Sequence, residues 1–296
     1  MTKHLRSDLD FSKETILKVL AKAADLRKNG PNESDKKALA GKSVGMVFEK
    51  PSMRTRVSFE VGIHQLGGHA IYLHGSELGM GVREPVKDIA RVGSRYTAAW
   101  VLRVKSQESI DEFAQYADVP VINALSDLYH PCQAVADMLT IRSYFPEGPV
   151  TVTYIGDANN VCRSLIHMAS ADPEISIRVC TPRDYAFEEA LPDSVQVFTD
   201  PQAAAAGSDV LYTDVWTSMG QEEETARRLK DFEGFTIDEA LFKQANEGAI
   251  LLHCLPAHRG EEVSDGAFEA HAASVFDQAE NRLYAQQAIL LHCLSD

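Results

Sequence analysis

Short apolar runs alternate with amphipathic stretches along this 296-residue chain, and that alternation strongly limits the folds open to it. In the first half, strand-like runs cover residues 44–48, 70–73, 100–104 and 119–122. Helical patterns near residues 53–66, 86–97 and 107–117 lie between them. Strands that alternate with helices predict βαβ units, because neighbouring parallel strands need a crossover connection.

The alternation of strand-like and helical patterns restarts after a group of helix-breaking residues. A helix predicted over about residues 132–144 ends at Pro146, Gly148 and Pro149, which indicate a hinge. Strands are then predicted over residues 150–155, 177–180, 195–198, 210–213 and 250–254, and a terminal helix over 282–292. We therefore expect an α/β protein of two doubly wound parallel-sheet domains, residues 1–130 and 131–296. The active site is expected in the cleft between them, at the carboxyl ends of the strands.

Charge and cysteine content exclude several classes of function. Lys and Arg number 29 and Asp and Glu 43, so the net charge of −14 argues against nucleic acid or an anionic membrane as a partner. The five cysteines are widely spaced and show no zinc-binding pattern, which is typical of reduced thiols. No apolar run resembles a signal core or a membrane span, so we expect a cytoplasmic protein.

A compact polar motif lies where the first predicted strand passes into a helix. Ser52-Met53-Arg54-Thr55-Arg56 places two hydroxyls and two guanidinium groups at a helix N-terminus. Unpaired backbone N–H groups and the helix dipole favour an anion there, and arginine matches phosphate oxygens in pairs. Any one of these residues is more often a helix cap or a solvated charge, but five in succession predict a phosphate site.

Two polar groups follow the next strands of the first half. Arg103 lies within the apolar run 101–104, and a buried arginine needs an anionic partner, which is either a ligand or an internal carboxylate. His130 and Gln133 begin the next helix, where histidine can hydrogen-bond a carbonyl oxygen and glutamine can both donate and accept. A lone histidine at a helix start is usually a packing or capping residue.

The second half carries polar groups at its own strand ends. Asp214 follows one strand and can bind an ammonium group, and Ser218 lies in the glycine-containing loop after it. Cys254 ends the last strand, where a basic pocket would lower its pKa; a buried structural cysteine is the usual alternative and holds for the other four. The turn over residues 156–160 lacks the spaced glycines of a dinucleotide fingerprint, which counts against a nicotinamide-dependent dehydrogenase.

These motifs together resemble the aspartate/ornithine carbamoyltransferase family over roughly residues 45–285, and they occur in family order. The resemblance rests on five features: the phosphate loop, His-Pro-x-Gln from His130, Asp-x-x-x-Ser-Met-Gly from Asp214, His-Cys-Leu-Pro ending at Pro256, and a late arginine at Arg282. The Ser-Met-Gly loop is similar to that of the ornithine-specific members. Met53 stands where the family usually has threonine, so only its backbone N–H can serve a phosphate.

The resemblance implies a reaction and a division of roles. The reaction is carbamoyl transfer from carbamoyl phosphate to the δ-amino group of L-ornithine, giving citrulline and phosphate in arginine biosynthesis. It implies catalytic roles for Cys254, Arg103, His130 and Asp214. Carbamoyl phosphate is assigned to Ser52, Met53, Arg54, Thr55, Arg103, His130, Gln133, Cys254, Leu255 and Arg282, and ornithine to Asn160, Asp214, Ser218 and Met219.

Further expectations accompany this resemblance. It implies a homotrimer or a multiple of trimers, and no metal or organic cofactor. Residues 280–296 are expected to pack back on the first domain. Gly79 stands near a position where several relatives place a histidine or glutamine that reaches the neighbouring subunit. The alternatives are a carbamoyltransferase for another amine such as putrescine, or a catalytically silent protein that binds phosphate and an amino acid.

Overall fold

The computed structural model describes residues 3–217 and 222–295. Its first sheet consists of four parallel strands in the order β2-β1-β3-β4. These strands are β1 Ser43–Phe48, β2 His69–His74, β3 Ala99–Arg103 and β4 Val121–Leu125. The helices that accompany this sheet are α1 Lys13–Asn29, α2 Met53–Gln65, α3 Gly75–Leu78, α4 Val86–Gly93 and α5 Gln107–Tyr116.

Helix α6, Pro131–Tyr144, leads into the second sheet, whose five parallel strands have the order β7-β6-β5-β8-β9. These strands are β5 Val150–Ile155, β6 Ile175–Cys180, β7 Gln196–Phe198, β8 Val210–Thr213 and β9 Ile250–His253. The helices are α7 Asn160–Ala169, α8 Pro201–Ala205, α9 Thr225–Asp231, α10 Glu239–Phe242, α11 Asp265–Ala270 and α12 Ala272–Leu294. Single 3₁₀ turns cover Asp8–Asp10, Asp35–Lys37, Arg183–Tyr185 and Glu222–Glu224.

The contacts divide the chain into two compact units. One runs through Leu139 and resumes at Glu280, and the other is Thr140–Ala279. The division between these units therefore falls inside α6. Near the start of α6, the Cys132 thiol donates to the Asn123 carbonyl in the first unit. Near its end, Arg142 pairs with Asp172 at 2.7 Å in the second.

Each unit has its own apolar core beneath its sheet. In the first unit the Trp100 ring packs so closely over β1 that a Cβ on Gly45 would lie 2.3 Å from it. Only glycine leaves room for that ring at this position. In the second unit Phe232 stacks on Trp216 and contacts Phe235. These rings belong to a buried apolar cluster that also contains Leu211 and Leu251 of the sheet.

The predicted fold class is confirmed, since both sheets are parallel and each of the nine expected strands is present. The terminal helix, however, begins at Ala272 and not at 282. Its first turns bury polar side chains: Ser274 donates to the Leu251 carbonyl, and Gln278 accepts from the His253 N–H. Buried polar residues interrupt the apolar period, so the sequence pattern misses these turns. Across the described ranges, no helix combines the length and apolarity needed to cross a membrane.

Candidate functional site

The phosphate motif lies at the N-terminus of α2, in the first unit. Ser52 occupies the N-cap position with extended backbone angles, φ −156° and ψ 102°, yet its hydroxyl makes no capping hydrogen bond. The N–H groups of the first helical turn have no partner within the helix, and the helix dipole makes this end positive. Met53 is the first helical residue and is 68% exposed. The hydroxyl of Ser52 and these N–H groups form a cradle suited to an anion.

The two arginines of the motif differ in their surroundings. Arg56 donates from Nε to Glu60 Oε1 at 2.9 Å, and its guanidinium lies 3.7 Å from the centre of the Tyr72 ring. Both its charge and its planar face are therefore engaged by the protein. Arg54, which is half-buried in the first turn of α2, forms no ion pair with a carboxylate among the residues that the structure describes. Arg54 is thus the guanidinium of this motif that is suited to an anionic ligand.

A buried arginine connects α2, α6 and α12 within the first unit. Arg282 donates from Nη1 to Gln133 Oε1 at 2.7 Å and from Nη2 to Thr55 Oγ1 at 3.0 Å. Gln133 in turn donates to Asp137 Oδ1 at 2.8 Å, which orients its amide. Thr55, Gln133 and Arg282 are each at least 97% buried. The predicted residues thus meet although they are far apart in sequence.

His130 precedes α6 and is buried close to two positive charges. Burial, followed by the charges of Arg282 and Arg103, holds the pKa of the His130 imidazole well below its usual value of 6.5. A neutral imidazole offers one N–H donor and one acceptor nitrogen. Arg103 is the last residue of β3, so the carboxyl end of this strand adds a guanidinium to the same group of side chains. This part of the first unit can polarise a carbonyl oxygen as well as bind an anion.

In the second unit, a hydrogen-bonded chain links the ends of three strands. The Cys254 thiol donates to Asp214 Oδ1 at 2.9 Å, and the Asn159 amide donates to Asp214 Oδ2 at 2.9 Å. The Tyr154 hydroxyl donates to Asn159 Oδ1 at 3.2 Å. Burial, followed by the Asp214 charge, raises the pKa of Tyr154 well above 10, so it remains a donor. Asp214 is 94% buried, and its thiol and amide partners are neutral.

Sequence reasoning missed the role of Asn159. It is the N-cap of α7, where its Oδ1 accepts from the N–H groups of Val161 and Cys162. Its amide nitrogen is then left to orient Asp214. The asparagine preference at N-caps was the signal that could have identified it. Asn160, the residue expected to bind a carboxylate, is the first residue of α7.

The segment after β8 is held by a buried ion pair that was also not predicted. Arg228, on α9, donates to Asp157 Oδ2 at 2.8 Å and to the Trp216 carbonyl at 2.8 Å. Burial raises the pKa of Asp157, and the Arg228 charge opposes that shift. This pair fixes both the turn after β5 and the chain that leaves β8. Ser218 and Met219 lie outside the described residues.

The residues that flank Cys254 form a second buried chain. The Leu255 N–H donates to His253 Nδ1 at 2.9 Å, and His253 Nε2 lies 3.0 Å from Glu262 Oε1. Glu262 Oε1 also accepts the His258 N–H at 2.6 Å. Leu255 has a φ of +61°, a left-handed conformation rare for a branched side chain, and the Leu255–Pro256 peptide is cis.

The other four cysteines are buried, as expected of structural thiols. Burial raises the pKa of Cys132, Cys180 and Cys293 to about 12, and that of Cys162 well above 9. Cys254 is the half-exposed member of the five. The structure therefore singles out Cys254 as the thiol available for chemistry.

One group of potential metal ligands includes this thiol. Asp214, His253 and Cys254 bring one ligand atom each within 4.8 Å of one another. A neutral imidazole has one lone pair for a metal, and in His253 that lone pair receives the Leu255 N–H. A metal bound here would have to break that hydrogen bond. In a second group, His258, Glu261 and Glu262, the Glu262 oxygen Oε1 is committed to two donors. In each group, a potential ligand atom is therefore already engaged in hydrogen bonds within the protein.

Comparison with known proteins places both units in one family. The aspartate/ornithine carbamoyltransferase carbamoyl-P binding domain matches residues 3–143, and the Asp/Orn binding domain of that family matches residues 149–293. The ornithine carbamoyltransferase of Archaeoglobus fulgidus is 46% identical, covering 99% of this chain and 97% of that protein. That of Acidothermus cellulolyticus is 48% identical, with coverages of 98% and 96%. The crystal structure of anabolic ornithine carbamoyltransferase from Campylobacter jejuni superposes with a TM-score of 0.91 at 41% identity, over 98% of each chain.

Proposed function

Because this chain belongs to the aspartate/ornithine carbamoyltransferase family and is a transferase, we propose that it is an ornithine carbamoyltransferase. The δ-nitrogen of L-ornithine attacks the carbonyl carbon of carbamoyl phosphate. A C–N bond forms, the C–O bond to phosphate breaks, and the amine gives up one proton. Citrulline and phosphate are the products, and phosphate is the final acceptor of that proton.

The first unit is assigned the carbamoyl phosphate, as the match to the carbamoyl-P binding domain supports. The Ser52 hydroxyl, the Met53 N–H, Arg54 and Thr55 receive the phosphate oxygens at the start of α2. Arg103 adds a second guanidinium. Donors aimed at the phosphate stabilise the charge that the leaving group acquires as the C–O bond breaks.

The carbonyl oxygen of the substrate is assigned to three side chains of the first unit. Thr55, Arg103 and the neutral imidazole of His130 donate to this oxygen, where negative charge grows during attack. Removing one donor of this kind commonly costs about 3–4 kcal/mol of transition-state stabilisation. Gln133 and the Leu255 carbonyl accept from the carbamoyl nitrogen, and Arg282 holds Gln133 and Thr55 in place.

The observation that carries the preference for ornithine is the buried carboxylate of Asp214. Among the residues that the structure describes, it accepts hydrogen bonds from a thiol and an amide and forms no ion pair. A buried carboxylate is stable when a cation pairs with it, and the ammonium groups of ornithine supply that charge. Aspartate would bring a second carboxylate to this region and repel it. Asn160, Ser218 and Met219 are assigned the far end of ornithine.

The δ-ammonium of ornithine must first lose one proton to solvent, since the pKa of such an ammonium lies near 10.4; the second proton, released on attack, is the one that phosphate accepts. The Cys254 thiol and the Asp214 carboxylate are adjacent, so together they can orient the δ-amine and accept hydrogen bonds from it. No metal or organic cofactor enters these steps. The proposed setting is arginine biosynthesis in the cytoplasm. The five free cysteines support the choice of compartment, since such thiols suit a reducing environment.

A homotrimer is the proposed assembly. Its support is an exposed apolar stripe, which comprises Met53, Val57 and Val61 at successive helical turns of α2 and Ile71 on β2. Each of these side chains is at least 37% exposed, and a second copy of the chain would cover them. Gly79 has no side chain to reach a neighbouring copy, so the proposed interface rests on this stripe.

The test compares L-ornithine, putrescine and aspartate as acceptors of the carbamoyl group. We expect kcat/KM for ornithine to exceed that for putrescine by up to about 10⁴-fold. Putrescine lacks the α-carboxylate, so the polar groups that bind this carboxylate in ornithine would be left unpaired. Equal values for ornithine and putrescine would favour a putrescine enzyme. Carbamoyl phosphate that releases no phosphate in the presence of any of the amines would favour a silent binding protein.

A further inference from the structure

We propose that Glu262 and His253 are positioning residues that set the conformation of Cys254 and Leu255 for carbamoyl transfer. Glu262 holds the His253 ring in a single tautomer, and His253 then accepts the backbone N–H of Leu255. This inference rests on the proposed function, because it explains how two groups assigned to that reaction are held in place.

Burial makes this chain of hydrogen bonds rigid. The side chains of His253 and Glu262 are both 0% exposed. The backbone on either side is pinned: the His253 N–H donates to Gln278 Oε1 at 2.8 Å, and the Glu262 carbonyl accepts the Ile237 N–H at 2.9 Å. A buried carboxylate is destabilising unless donors satisfy it. Breaking this contact is therefore costly, and the ring is kept in one orientation.

The tautomer follows from the chemistry of the groups at each end. A carboxylate accepts hydrogen bonds and donates none, so His253 Nε2 must carry the proton that faces Glu262 Oε1. Nδ1 is then unprotonated, as its contact with the Leu255 N–H requires. The contacts of both ring nitrogens therefore require the same tautomer, with the proton on Nε2. With no carboxylate at position 262, the opposite tautomer would place an N–H against the Leu255 N–H.

The Leu255 hydrogen bond spans Cys254. The acceptor belongs to residue 253 and the donor to residue 255, so the bond closes a turn with Cys254 at its centre. That turn directs the thiol to Asp214 at 2.9 Å and holds Leu255 at a φ of +61°. A residue held in this sparsely populated region needs surrounding structure to keep it there. The Leu255 carbonyl and the Cys254 thiol thus depend on the same acceptor.

Two substitutions of His253 test separately its hydrogen bonds to Leu255 and to Glu262. H253N keeps a short side-chain oxygen near Nδ1, which can accept the Leu255 N–H as asparagine does in turns. H253Q keeps a longer side chain that reaches Glu262 and loses the acceptor near Nδ1. We expect H253Q to lower kcat by about tenfold or more and H253N to lower it much less, since a lost hydrogen bond of about 1.4 kcal/mol corresponds to tenfold. Equal losses in the two variants would overturn the proposal.

Matched controls address the carboxylate. E262Q removes the charge that selects the tautomer and is expected to lower kcat more than it raises KM for ornithine. E261Q removes the neighbouring half-buried carboxylate, and H258A removes the exposed imidazole while keeping the N–H that Glu262 accepts; both are expected to match the parent protein. A loss of kcat in E261Q equal to that in E262Q would count against a specific role of Glu262.

Two readouts do not depend on the proposed reaction. Nitrogen-15 NMR of histidine-labelled protein reports the tautomer, and we expect Nε2 of His253 to be protonated and Nδ1 unprotonated. A protonated Nδ1 would overturn the proposal even if no variant folded. Iodoacetamide labelling at Cys254, followed by mass spectrometry, should change several-fold in H253Q and little in H253N. If carbamoyl transfer were absent but both readouts held, the proposed function would fail while the positioning chain stood.

Discussion

The Sγ atom of Cys254 lies 2.9 Å from Oδ1 of Asp214, although the two residues are 40 positions apart in sequence. The half-exposed thiol of the chain therefore donates to a carboxylate that is 94% buried. Asn159 holds the other oxygen of that carboxylate. This arrangement places a proton donor and a negative charge where β8 and β9 end, and it makes both residues direct targets for mutation.

Replacing Cys254 with serine tests the thiol. A hydroxyl keeps the size and the hydrogen bond to Asp214, but it titrates far above a thiol, whose usual pKa is about 8.5. We expect C254S to fold with an unchanged melting temperature and to lose at least about tenfold in kcat, with an altered pH–rate profile. Parent rates from mildly acidic to alkaline pH would make Cys254 a structural residue.

Arg54 and Arg56 form a matched pair for testing the phosphate site. Arg56 is engaged by Glu60 and Tyr72, whereas Arg54 is suited to the ligand. Hydrogen bonds to a charged group contribute about 1.5–3 kcal/mol, so R54A should weaken carbamoyl phosphate binding by about ten- to hundredfold in calorimetry. R56A should bind it nearly as the parent does. Unchanged affinity in folded R54A would remove this role.

The exposed stripe on α2 predicts the effect of a charge at the proposed trimer interface. Val57 is 47% exposed on that stripe, and Leu17 is 46% exposed on α1, so they form a pair matched in exposure. We expect light scattering to give about three times the chain mass of 32.6 kDa for the parent and for L17K. V57K should dissociate, because burying an unpaired lysine is costly. A fully active parent monomer would contradict the trimer.

His130 predicts a loss of stability in acid. Its folded-state pKa is held well below 6.5 by burial and by the charges of Arg282 and Arg103, so the unfolded chain binds the extra proton first. Its contribution is complete above about pH 6.5 and declines as pH falls below that value, by up to about 1.4 kcal/mol per pH unit. Urea unfolding of H130N should show a shallower decline than the parent. Identical slopes in the two proteins would mean that His130 binds a proton equally well in the folded and unfolded states, which contradicts the lowered pKa.

Local patterns determined a large part of this molecule. Alternating apolar and amphipathic runs predicted all nine strands that the described residues form, because a few consecutive residues show the period of a strand or a helix. The motif at Ser52–Arg56 was recognisable for the same reason, since a strand end, a helix start and their polar residues are neighbours in sequence. The resemblance in motif order then indicated the carbamoyltransferase family, which the comparisons confirmed.

Tertiary structure alone decided which polar groups meet. Arg282 contacts Thr55 across 227 positions, Asn159 orients Asp214 across 55, and Glu262 selects the tautomer of His253 through a buried contact. Tertiary structure also decided where α12 starts, because its buried Ser274 and Gln278 find their hydrogen-bond partners on another element. A hydrogen bond between buried side chains depends on the placement of both backbones, and a local sequence pattern contains information about only one of them.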